Sequence, residues 1–88
     1  MAYRVEYSRA ALKQLMKMDR FDARLITSWI GKNLEGCADP RAHGKGLTAN
    51  RSGEWRYRVG DYRILCTIED DALVVEVFSI GHRSSVYK

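Results

Sequence analysis

The segment Glu54-Trp55-Arg56-Tyr57-Arg58-Val59-Gly60-Asp61-Tyr62-Arg63-Ile64-Leu65-Cys66-Thr67-Ile68 decides the fold. Trp55, Tyr57 and Val59 alternate with Arg56 and Arg58, the period of a half-buried strand. Gly60-Asp61 supplies a two-residue hairpin turn, and Tyr62 to Ile68 is the return strand. A turn of that length fixes the register. Val59 then faces Tyr62, Arg58 faces Arg63, Tyr57 faces Ile64 and Arg56 faces Leu65. One face carries Trp55, Tyr57, Val59, Tyr62, Ile64 and Cys66, which is the expected core. The other carries Arg56, Arg58 and Arg63. Like charges directly opposite on paired strands are destabilising. An anion held between Arg58 and Arg63 relieves that repulsion. Arginine suits phosphate because its planar fork donates two parallel hydrogen bonds and stays charged.

Downstream, Glu69-Asp70-Asp71-Ala72 makes a second turn. Leu73 to Ile80 is a third strand, apolar on both faces and therefore central. With Ile68 paired to Leu73, Phe78 faces Arg63. Gly81 ends the strand, and the tail from His82 arrives at the Arg58/Arg63 end of the sheet. It brings an imidazole (His82), a further arginine (Arg83) and a phenol (Tyr87). Cations with a stacking aromatic are how proteins hold single-stranded RNA.

Upstream, Tyr3, Val5 and Tyr7 alternate with Arg4 and Glu6, a short strand. Ser8 is an N-cap for a first helix with Ala11, Leu12, Leu15 and Met16 at helical spacing, ending near Asp19. A second helix starts around Asp22, with Leu25, Ile26, Trp29, Ile30 and Leu34 as its apolar stripe and Gly36 as its stop. Met16 and Trp29 are read as core. Residues 36–53 form a loop with a short strand near Lys45–Thr48. The order β-α-α-β-β-β predicts an α+β fold, an antiparallel sheet packed on one side by a helical hairpin.

The chain has 88 residues and a formal charge of +4. Its length allows one domain, 1–88, and excludes a two-domain enzyme or a deep cofactor pocket. Residues 41–63 hold six Lys and Arg against two Asp and Glu, whereas residues 64–80 hold none against four. The positive charge is therefore local. Such a block is commonly only a solvated face; predicted convergence on one strand pair favours a phosphate site. Cys37 and Cys66 are isolated and read as reduced small hydrophobes. His43 and His82 lack ligand spacing with any cysteine or carboxylate, so neither metal nor cofactor is expected. No apolar run approaches the roughly 20 residues that span a bilayer. The N-terminus lacks an apolar signal core, and a cytoplasmic location is expected.

Three motifs together resemble the RelE/ParE superfamily, the toxins of bacterial and archaeal type II toxin–antitoxin systems. They are Tyr3-x-Val5-x-x-Ser8-x-x-Ala11-x-Lys13, the block Trp55 to Arg63, and Gly81-His82-Arg83-x-x-Val86-Tyr87. The resemblance spans nearly the whole chain. It implies one of two activities. RelE-like members are ribosome-dependent endoribonucleases that cut mRNA in the A site; ParE-like members inhibit DNA gyrase and generally lack the nuclease residues. RelE-like enzymes carry two sheet lysines, a sheet arginine, a late arginine and a terminal tyrosine. These correspond here to Arg56 and Arg58, Arg63, Arg83 and Tyr87. The resemblance therefore favours the nuclease. The expected catalytic residues are Arg58, Arg63, Arg83 and Tyr87 with His82 beside them, and Arg56, Lys45 and Arg51 are expected on the RNA backbone. His82 is the expected proton carrier, since arginine at the two lysine positions stays protonated. The alternatives are the gyrase inhibitor and a non-toxic RNA-binding module. The implied partners are the ribosome, mRNA and a cognate antitoxin docked on the basic face from Arg41 to Arg63 or on the helical hairpin.

Overall fold

The structure, a computed structural model, describes residues 2–46 and 53–82. Its elements are β1 (Arg4–Tyr7), α1 (Arg9–Lys17), α2 (Arg20–Asn33), a 3-10 turn (Pro40–Ala42), β2 (Lys45–Gly46), β3 (Glu54–Val59), β4 (Tyr62–Glu69) and β5 (Val74–His82). The sheet order is β1-β5-β4-β3-β2. Strands β2 to β5 are antiparallel, and β1 joins the edge of β5 in parallel. Both helices cover one face, the α+β arrangement expected from the element order.

Local chemistry sets the helix boundaries. The Ser8 hydroxyl accepts from the Ala11 N–H at 3.0 Å and caps α1. The Asp19 carboxylate accepts from the Phe21 and Asp22 N–H groups at 3.0 and 3.4 Å. Asp19 is thus the N-cap of α2, which starts at Arg20 rather than at Asp22, and α1 stops at Lys17. Gly36 follows α2 at a positive φ of 79°, where a β-carbon would be strained.

Ala11, Ile26, Ile30 and Leu34 of the helical layer pack on Tyr57, Ile64, Cys66, Val75, Val77 and Ile80 of the sheet, and all are buried. Met16 is not core: it is 83% exposed, and Leu12, Phe21 and Leu25 are exposed with it. On α1 Ala11 and Leu15 face the core, while Leu12 and Met16 turn outward. Trp29 is half-buried, packed between Tyr57 and His43.

The β4–β5 register differs from the expected one. Ile68 pairs with Val75, not Leu73, because the turn occupies Asp70 to Leu73 and Leu73 takes a φ of 54°. A bulge follows, since Cys66 pairs with Val77 but Leu65 with Ser79. Phe78 is the extra residue and does not face Arg63; Gly81 does, and the strand runs on to His82. The turn is anchored from outside. Asp70 accepts from the Tyr3 hydroxyl at 2.6 Å and from both terminal nitrogens of Arg41 at 3.0 and 3.1 Å.

Two outcomes are expected on unfolding in urea. Ile26→Ala costs about 2–5 kcal/mol, as a buried deletion that leaves a cavity, whereas Met16→Ala stays within about 0.5 kcal/mol. The pH dependence follows from Asp70, whose carboxyl is held below its ordinary value of 3.8 by Arg41 first and Tyr3 second. A lowered folded-state value means that the clamp contributes fully above 3.8 and is lost as pH falls through the lowered value. The stability gap between wild type and Asp70→Asn should therefore shrink in acid titrations below that pH.

Candidate nucleic-acid interface

Strand β3 builds the site by alternation. Tyr57 and Val59 are buried and Trp55 is half-buried on the helix side, so Arg56 and Arg58 project from the opposite face. Arg58 pairs directly with Arg63, as the turn length requires. On the other side of β3, Lys45 pairs directly with Arg56. Partners across a ladder share a face, so Lys45, Arg56, Arg58 and Arg63 lie together on the open face of three neighbouring strands. Gly44, Lys45, Arg56 and Arg58 line a concavity of about 270 Å³ there.

Arg63 has a further property. Its Nε is buried and, among the described residues, donates to nothing. A buried donor without an acceptor costs about 1–3 kcal/mol, more when charged. An anion between Arg58 and Arg63 would satisfy it.

The face is polarised along its length. Alternation and register put Glu54, Glu69 and Glu76 on the same side as the cations but towards the β4–β5 turn, with Glu54 opposite Thr67 and Thr67 opposite Glu76. Cations thus hold the β3–β4 end and carboxylates the other. Leu65, opposite Arg56, is buried between the two ends.

His82 does not join the arginines. It pairs with Tyr62, whose neighbour across β3 is the buried Val59, so it lies on the helix side. Its ring meets Tyr62 edge-on at 5.7 Å and 81°. The Tyr62 hydroxyl in turn donates to Asp22 at 2.9 Å, and that bond raises its pKa. The strand extension past Gly81 and the bulge at Phe78 set this side, and neither was legible from alternation. Arg41 also departs from the expected basic face: it is engaged by Asp70 and lies over the Trp55 ring at 5.9 Å. Arg51, Arg83 and Tyr87 lie outside the described residues. The Lys45–Arg56 pair was missed as a pair. Its signal was the Gly44-Lys45-Gly46 triplet, where a single side chain stands between two glycines. Among the described residues no cluster of three or more His, Cys, Asp or Glu could hold a metal, and no helix is long and apolar enough to cross a membrane.

The family model for the ParE toxin of type II toxin–antitoxin systems, parDE, matches residues 5–87. The chain belongs to this family. It is also 26% identical to toxin RelG of Mycobacterium tuberculosis over 88 residues, covering all of this chain and 99% of RelG. The toxin chain resembles solved structures across its length. In the RelBE2 toxin–antitoxin complex of Mycobacterium tuberculosis the TM-score is 0.80 at 24% identity, over 97% of this chain and 95% of the other. For the isolated Escherichia coli RelE toxin it is 0.72 at 23%, over 98% and 92%. For the archaeal RelE–RelB complex of Pyrococcus horikoshii it is 0.68 at 20%, over 98% and 100%. The protein is a type II toxin with the RelE/ParE fold.

If Arg58 and Arg63 repel across the strands, Arg58→Thr should raise the melting temperature of this toxin in low salt, by the equivalent of about 0.2–1 kcal/mol. Added inorganic phosphate should stabilise the wild type and close that gap. A variant no more stable than wild type in low salt would contradict the repulsion.

Proposed function

We propose that this toxin is a ribosome-dependent endoribonuclease of the RelE kind, which cleaves mRNA in the A site by metal-free attack of a 2′-OH. One observation carries the reading: two arginines face each other across β3 and β4, one with a buried donor that is unused among the described residues, at the cationic end of a polarised sheet. Cleavage needs the 2′-OH to lose its proton and attack phosphorus in line, and the departing 5′-oxygen to gain a proton. The products are a 2′,3′-cyclic phosphate and a 5′-hydroxyl. Negative charge grows on the phosphate oxygens in the transition state. Arg58 and Arg63, with Arg83 by resemblance, stabilise it there, commonly the largest catalytic contribution. Arg56, Lys45 and Arg51 track the RNA backbone. His82 faces Tyr62 on the far side of the sheet and is left out of the chemistry. Proton transfer then falls to Tyr87, the remaining group that the resemblance carries over.

The partner reading follows from surface chemistry. Leu12 and Met16 on α1 and Phe21 and Leu25 on α2 are exposed, in sequence among Arg9, Lys13, Arg20 and Arg24, which are exposed too. Apolar residues edged by cations suit an amphipathic, acidic segment of a cognate antitoxin. The solved RelBE2 and RelE–RelB complexes support an antitoxin as the partner. A ribosomal target places the toxin in the cytoplasm.

A second reading has its own support, since the matching family model is that of ParE. A gyrase inhibitor would act by protein contact and would need no scissile-phosphate site. A ribosome-containing translation assay with primer extension separates the two. Cuts at codon boundaries are expected, and cleaved DNA with intact mRNA would instead establish gyrase poisoning. In the same assay Arg63→Ala and Arg83→Ala should each lower cleavage by about 10²–10³ with the fold retained, while His82→Gln stays near wild type. Full activity in both arginine variants would refute the nuclease mechanism.

A further inference from the structure

Strand β3 uses its two faces for two purposes. Outward, Arg56 and Arg58 present charge. Inward, Trp55 and Tyr57 reach past the sheet edge to the segment that delivers Lys45. The Tyr57 hydroxyl donates to the Pro40 carbonyl at 2.6 Å, and the Trp55 indole N–H donates to the His43 carbonyl at 2.6 Å. Both acceptors lie within the five residues before Lys45.

The indole also explains the two glycines. A β-carbon on Gly44 would collide with the Arg56 carbonyl oxygen and approach Trp55 Nε1 and Tyr57 Cδ1 to 2.9 Å each. Gly44 moreover has a φ of 77°, which side chains rarely adopt. A β-carbon on Gly46 would lie 3.1 Å from Trp55 Cζ3. The backbone on both sides of Lys45 thus rests on the Trp55 ring. In an extended chain alternate residues point to opposite faces. With Gly44 and Gly46 against the indole, Lys45 is directed to the open face opposite Arg56. Among the described residues that strand comprises Lys45 and Gly46, and ladder bonds over two residues hold it weakly.

We propose that Trp55 is a positioning residue for the anion site: its indole N–H and ring hold Gly44-Lys45-Gly46 so that Lys45 reaches the nucleic-acid phosphate beside Arg56. The inference rests on the cationic face being an RNA-binding face. It makes Trp55 act through Lys45 and not by stacking on a base. Trp55→Phe keeps a ring and removes the N–H donor. Gly46→Ala keeps the indole and wedges a methyl group against it.

The test uses the full chain and a short fluorescent 2′-O-methyl RNA strand, which cannot be cleaved through its 2′ position. Anisotropy titrations across a series of KCl concentrations give the slope of log K against log salt. Each phosphate contact on a single strand contributes about 0.7 to that slope. Lys45→Ala should lower it by about 0.7. Trp55→Phe and Gly46→Ala should lower it by the same amount, and should change nothing further in the Lys45→Ala background. Circular dichroism checks that each variant is folded, and Gly46→Ala carries the test if Trp55→Phe is not. A slope that falls in Lys45→Ala but stays at the wild-type value in Trp55→Phe or Gly46→Ala overturns the positioning role alone. So does a Trp55→Phe loss that adds to that of Lys45→Ala, the result expected of a stacking residue. A wild-type affinity independent of salt overturns the RNA-binding face and the positioning role with it.

Discussion

Everything about the site depends on the two-residue turn at Gly60-Asp61. Gly60 takes a φ of 58°, and the turn leaves β3 and β4 one register. In that register the apolar residues of both strands other than Leu65 share the helix side. A slip by one residue would send them to solvent. The same constraint forces Arg58 to face Arg63. The repulsion is thus the consequence of burying Tyr57, Val59 and Ile64, and stability alone gives no reason for arginine at both positions. A bound anion does.

The helical layer stabilises the sheet where the sheet cannot complete itself. Strand β1 ends at Tyr7, so β5 loses its parallel neighbour beyond Val77. The start of α1 takes over that edge. The Ser8 N–H donates to the Val77 carbonyl at 2.8 Å, the Ser8 hydroxyl donates to the Phe78 carbonyl at 3.4 Å, and Gln14 Oε1 accepts from the Ile80 N–H at 2.7 Å. These bonds flank the bulge and satisfy backbone groups that would otherwise be orphaned. The irregular part of β5 is also the part beside β4's Arg63, so α1 supports the strand that completes the cationic end.

The size of the protein fits such an arrangement. The described residues build one sheet and one helical layer, and neither helix covers the polar face of the sheet. The cations occupy one end of that face and the carboxylates the other. A net charge of +4 therefore understates the local field, because Glu54, Glu69 and Glu76 on that face lie towards its other end.

What the sequence determined by itself was the local structure. The β3–β4 hairpin, its register, the opposed arginines and the two helices were all legible, because each depends on neighbours a few residues away. Tertiary structure decided the rest. Lys45 faces Arg56 only because Trp55 and Tyr57 seize a loop more than ten residues upstream. Met16 is exposed although its spacing matches a core stripe, because α1 turns Ala11 and Leu15 to the core and leaves Leu12 and Met16 on its outer side. His82 faces Tyr62 because the second turn sits one residue later than alternation indicates and the bulge absorbs Phe78. Shifts of one or two residues across a long turn have no strong local signature. Their outcome is settled by which side chains the helices can cover, and that requires the whole fold.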